Sequence, residues 1–160
     1  MGLEEKRAID ERKERIKIWL KDPYNFLAVL LGVFVIVIYL YYFFKLANQP
    51  IWWDEGDYLS ISKVWALGMD QPEWWMNFTR IRRLAFPIIL AFFFKLGFGE
   101  AIVRFLTELV PAIFSIFLIY ILGKELFNKK VGLISAFLIS VNWVFMFYSF
   151  RFLTDIPSLF

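Results

Sequence analysis

The stretch that decides the fold is YNFLAVLLGVFVIVIYLYYFF, residues 24–44, which runs for twenty-one residues without a charge. At about 1.5 Å of rise per residue it makes about 31 Å of helix, matching a hydrocarbon core of about 30 Å. Tyr39, Tyr41, Tyr42 and Lys45 close the run with the aromatic and basic residues that prefer a membrane interface. It is therefore read as a first membrane span.

The rest of the chain agrees with a membrane setting. Hydrophobic residues make up 60% and aromatic residues 21% of the 160, beyond the apolar share of an ordinary soluble domain. Charged residues still amount to 21%, but they lie in blocks outside the long apolar runs. That placement is expected where a charge at the bilayer centre costs about 2.5 to 3.5 kcal/mol. There are no cysteines and no histidines, so disulfides, thiolate metal sites and histidine acid–base chemistry are excluded, and chemistry must rest on carboxylates. The net charge of +3 is spread over separate segments, with no concentrated patch for nucleic acid.

Residues 1–23 are dense in mixed charge and carry seven of the eighteen Lys and Arg residues. Ile9, Ile16 and Leu20 fall on one helical face, which predicts a charged surface helix leading into the membrane. The positive-inside rule places this end in the cytoplasm. The loop 45–103 holds five of the seven tryptophans, which suits a segment lying along the outer membrane surface. Within it, 84–98 is apolar but only fifteen residues long, too short to span and suited to a juxtamembrane segment. Two further spans are expected at 104–122 and 131–150, joined by the basic turn 123–130.

The expected fold is thus an all-α integral membrane protein. About three transmembrane helices are joined by a long exterior loop with juxtamembrane helices, with 24–160 as one transmembrane unit. A four-span arrangement puts the same ten Lys and Arg inside and eight outside as three spans do, so charge does not separate the two. Segment length favours three, which returns the tail after 151 to the exterior side with the loop 45–103. The final run toward Phe160 reads as the start of a further helix, and so as the N-terminal part of a longer protein.

Two acidic constellations lie on that exterior side. Trp52-Trp53-Asp54-Glu55-Gly56-Asp57-Tyr58 places three carboxylates within four residues just beyond span one. Carboxylates beside an apolar interface gain basicity and affinity for cations, while the same acids also suit a helix N-terminus. Arg151-Phe152-Leu153-Thr154-Asp155 follows the last span. A snorkelling Arg and a helix-terminal Asp would explain it if it stood alone. In the three-span arrangement, however, Asp155 comes back to the face that holds Asp54. Arg80, Arg82 and Arg83 form a cationic group at headgroup depth, suited to phosphate or to anionic lipid heads. Asn77-Phe78-Thr79 forms a glycosylation sequon too near the membrane for ready use. Glu108 is expected to cap its helix or to pair with Arg104 at i, i+4.

The order of these features resembles the GT-C superfamily of polyprenyl-phosphate-dependent glycosyltransferases, especially its protein mannosyltransferase and aminoarabinose transferase branch. A more distant likeness is to oligosaccharyltransferase catalytic subunits. The shared features are a first span, the Asp54-Glu55 pair followed by Tyr58, and an apolar segment containing Pro87. Arg104-Phe105-Leu106, the turn Gly123 to Lys130 and Asp155 follow in order. The resemblance implies a multi-pass enzyme of the cell membrane that moves a sugar from a polyprenyl-phosphate donor to an acceptor on the exterior face. It implies catalytic roles for Asp54, Glu55 and Asp155, with Asp54 the general base. It further implies donor-phosphate binding by Arg82, Arg83 and Arg151, substrate binding by Tyr58, and a divalent cation held by Asp54 and Asp155. Membrane lipids are the other expected partner. A non-catalytic membrane scaffold, in which tryptophans anchor and acids cap, is the rival reading. A transporter is disfavoured by the absence of charged or Gly-broken positions near the middle of any span.

Overall fold

A computed structural model describes residues 2–46, 49–51, 54–68 and 85–158. Among them every regular element is helical. Helix α1 (Leu3–Leu20) ends where Asp22 adopts an extended backbone, and the Asp22 carboxylate caps α2 (Pro23–Lys45) by accepting from Tyr24 N at 2.9 Å. Pro23 sits at the first helical position, where its missing N–H breaks no intrahelical bond. The Asn25 amide donates back to Trp19 O at 3.0 Å and fixes the corner between the two helices.

Helix α3 (Asp54–Leu67) begins with Asp54, Glu55 and Asp57 in its first turn, favourable against the positive end of the helix dipole. Helix α4 (Ala85–Lys95) is eleven residues long, about 16 Å, too short to cross a bilayer. α3 and α4 pack through Tyr58, Leu59, Phe86, Leu90 and Phe94, and Ser62 Oγ donates to Pro87 O at 3.1 Å.

The second long apolar helix runs from Glu100 to Leu126 without interruption. It comprises α5 (Glu100–Arg104), a π-helical turn over Phe105–Leu109, and α6 (Val110–Leu126). Together with α2 it is long and apolar enough to cross a membrane. Helix α7 (Lys129–Ser140) turns back against α6, capped by the Asn128 side chain accepting from Val131 N at 3.0 Å. The hairpin closes on bare backbone: a Cβ on Gly132 would lie 2.6 Å from Tyr120 O, and one on Gly123 would lie 2.8 Å from Gly132 Cα. Small residues permit the close approach that apolar surroundings do not drive by themselves.

The apolar run 131–150, read from sequence as one span, is broken. α7 stops at Ser140, and a separate short helix α8 (Trp143–Tyr148) starts from Asn142, whose side chain accepts from Phe145 N at 2.9 Å. A capping Asn offers the backbone an alternative to continuing the helix. The chain then turns through 149–158 and buries Phe150, Phe152 and Ile156. The main core joins Tyr39 and Phe43 of α2 to Leu109, Ala112 and Phe150.

Candidate functional site

The α3 helix presents its two leading acids to different surroundings, because successive residues on a helix point about 100° apart. Asp54 is exposed, whereas Glu55 is completely buried. Glu55 Oε1 accepts from Arg104 Nη2 at 3.3 Å and from the Phe152 backbone N at 3.2 Å, and Oε2 accepts from Arg151 Nη1 at 3.0 Å. One carboxylate thus joins three parts of the chain: α3, the second long helix and the segment after α8. Buried charge is tolerated only when paired and hydrogen-bonded in this way.

The two guanidinium groups are held on apolar surfaces as well. Arg104 lies over the Phe152 ring at 4.7 Å, and Arg151 lies over the Phe147 ring at 5.1 Å. Both are placements in which a cation is attracted by the ring face. Arg151 Nη1 also donates to Pro50 O at 2.7 Å, and the Gln49 amide donates to Phe150 O at 2.9 Å. Gln49, Pro50 and Glu55 are therefore stitched to 150–152 by side chain and backbone together. Asp155, exposed in the turn that follows, lies three residues beyond Phe152. The segments that carry Asp54 and Asp155 meet at Glu55.

Glu108 sits in the π-helical turn and is fully buried. Arg104 turns to Glu55 instead of to Glu108, so the i, i+4 pair expected from sequence is not hydrogen-bonded. Neither Glu108 oxygen has a hydrogen-bond partner among the described residues. The π turn over Phe105–Leu109 starts one residue after Arg104, so the regular α-helical i, i+4 register does not hold between the two side chains. Thr107, its neighbour, donates to Val103 O at 2.9 Å.

The remaining sequence-predicted residues fall as follows. Tyr58 is buried, and its ring meets Phe86 edge-on at 5.5 Å. Asp57 is half-buried, and burial first, then the Asp54 charge, raises its pKa. Arg82 and Arg83, the sequon and Trp52-Trp53 lie outside the described residues. No group of three or more metal-ligating side chains gathers among the described residues. Sequence reasoning missed Arg104 as a partner of Glu55, since no local spacing links positions 49 residues apart.

Residues 83–160 match the family model described as dolichyl-phosphate-mannose-protein mannosyltransferase. No curated protein and no solved structure gives a match. The matched part contains Arg104, Glu108, Arg151 and Asp155, and through Arg104 and Arg151 it grips the Glu55 that lies before it. The match covers just under half of the chain and agrees with the GT-C resemblance drawn from the sequence.

Proposed function

We propose that this protein transfers a sugar from a polyprenyl-phosphate donor to an acceptor at the exterior membrane face, with Asp54 as general base. The observation that carries this reading is the burial of Glu55 between Arg104 and Arg151, beside an exposed Asp54. Glu55 accepts from two guanidiniums and a backbone N–H and is completely buried, out of reach of an acceptor hydroxyl. Its role is to fix the N-terminus of α3, and so the position of Asp54. Asp54, one residue earlier and exposed, is placed to take a proton.

In the proposed step the acceptor hydroxyl gives its proton to Asp54 while its oxygen forms a bond to the anomeric carbon. The bond from that carbon to the donor phosphate oxygen breaks, and the electron pair leaves with the phosphate. General-base assistance of this kind contributes about 10² to 10⁴ in rate. Arg82 and Arg83 hold the departing phosphate, which guanidinium groups bind bidentately. Arg151 acts through Glu55 as a positioning residue. Asp155, three residues beyond the Phe152 that binds Glu55, orients the acceptor. A divalent cation, if bound, would be held by Asp54 and Asp155 and would supply positive charge to the departing phosphate. Tyr58 would reach substrate only by its hydroxyl edge, since its ring packs against Phe86.

The test is donor-dependent transfer by the intact protein in nanodiscs, together with donor binding by an Arg82→Gln, Arg83→Gln double variant. Transfer from a polyprenyl-phosphate sugar, with weakened donor binding in a normally stable double variant, is expected. Absence of transfer with every polyprenyl-phosphate sugar offered would leave the scaffold reading in its place.

A further inference from the structure

A groove of about 840 Å³ opens between the two long helices, away from the Glu55 cluster. Its walls include Val29, Gly32 and Ile36 of α2 and Ile113, Phe117 and Tyr120 of α6. Val29, Ile36 and Phe117 are exposed large apolar side chains, so nothing among the described residues covers them. A Cβ built on Gly32 meets no atom within 4 Å, and this missing side chain leaves the groove open at mid-length. Polar character is confined to one end, where Trp19, Asn25, Lys124 and Lys129 line the mouth.

The length of the groove bears on its occupant. From Asn25 to Ile36 on α2, and from Ile113 to Lys124 on α6, the lining spans eleven residues of rise, about 16 Å. That is about half of a 30 Å hydrocarbon core, the depth of a single leaflet. Beyond it the seam between the helices is filled: Tyr39, Phe43 and Leu109 are buried there, and Phe43 meets Phe105 edge-on at 5.8 Å. A groove of this depth matches the length of one acyl chain in a single leaflet.

The mouth fits a phosphate. Lys124 pairs with Glu125 at 2.9 Å and Lys129 with Asp22 at 2.5 Å, and each ammonium, with three donors, keeps N–H groups for another acceptor. Basic residues between transmembrane helices at the cytoplasmic surface attract anionic headgroups, and Trp19 favours that depth.

We propose that this groove binds one phospholipid of the leaflet on the α1 side, with an acyl chain between α2 and α6 and its anionic phosphate at Lys124 and Lys129. The inference goes beyond glycosyl transfer and rests only on α2 and α6 lying in a bilayer. It is tested with the intact protein in nanodiscs containing phosphatidylglycerol that carries a photoreactive group midway along its acyl chain. Adducts are expected to concentrate on Ile36 and Phe117 over the exposed but non-lining Val37. Gly32→Phe should plug the groove and lower the Phe117 adduct by about tenfold, while Val33→Phe leaves it unchanged. Replacing Lys124 and Lys129 with Gln should lower the preference for phosphatidylglycerol over phosphatidylcholine by roughly tenfold. Because Gly32→Phe could misfold, native mass spectrometry of the unaltered protein gives a second reading, with one retained phosphatidylglycerol expected. Adducts spread evenly over lining and non-lining positions, displacement of the phospholipid by an equal amount of polyprenyl phosphate, or crosslinks only to protein would each overturn the proposal.

Discussion

Replacing Glu55 with Gln tests whether one carboxylate holds the site together. Gln keeps the size of the side chain and one acceptor oxygen, but it removes the charge that faces Arg104 at 3.3 Å and Arg151 at 3.0 Å. It also turns an N–H₂ group toward groups that are themselves donors. Two guanidinium groups, both buried, are left without their counter-charge. Breaking a buried pair by removing one partner costs about 3 to 5 kcal/mol, because the remaining charge stays desolvated. At about 2 to 4 °C per kcal/mol for a chain of this size, the unfolding midpoint should fall by roughly 6 to 20 °C. The assay is thermal unfolding in nanodiscs, run as a cycle with Arg104→Met and Arg151→Met. Each pair should show a coupling of about 0.5 to 3 kcal/mol, and the double variants should recover part of the loss. A midpoint unchanged from wild type in Glu55→Gln, with no coupling to either arginine, would refute the reasoning.

Three further outcomes follow from the geometry. Gly132→Ala places a Cβ 2.6 Å from Tyr120 O, inside the 3.4 Å of ordinary contact, so α6 and α7 must part. A loss of about 1 to 3 kcal/mol, read by thermal unfolding, is expected. The Asp22 pKa is lowered, first by its hydrogen bond from Lys129, so this clamp contributes stability above the ordinary value of 3.8 and loses it as pH falls through the lower folded value. Lys129→Gln should therefore destabilise the protein at pH 7 and match wild type in strong acid, as unfolding curves at the two pH values will show. The cysteine-free chain permits single-cysteine labelling, and a Cys at Lys129 should react only from the cytoplasmic side of intact cells, whereas reaction from outside would reverse the topology.

Legibility in the sequence varied with the range of the interactions. The helix over 24–44 is fixed by a one-dimensional property, an uncharged run of sufficient length, and α2 appears where that run lies. The short α4 was legible for the same reason. The break in 131–150 was not, because Asn142 sits inside an apolar run and its cap shows only in three dimensions. The acids of the loop were legible as a group but not in their division of labour. Asp54 and Glu55 differ by one methylene and one position, and only the rotation of α3 buries one and exposes the other. Arg151 was read as a phosphate ligand from its place beside the membrane, while its partners Glu55 and Pro50 lie about a hundred residues earlier. The π turn that carries Glu108 leaves no residue signature of its own.

The most direct test of the central claim is the rate of sugar transfer by Asp54→Asn, measured in the intact protein with its thermal stability recorded beside it. Asn keeps the shape of Asp and loses only one charge from the first turn of α3, so the fold should lose no more than about 1 kcal/mol. It lacks basicity, so transfer from the polyprenyl-phosphate donor should fall by about 10² to 10⁴. A stable Asp54→Asn protein with wild-type turnover would contradict the account and leave Asp54 as a favourable charge in the first turn of α3.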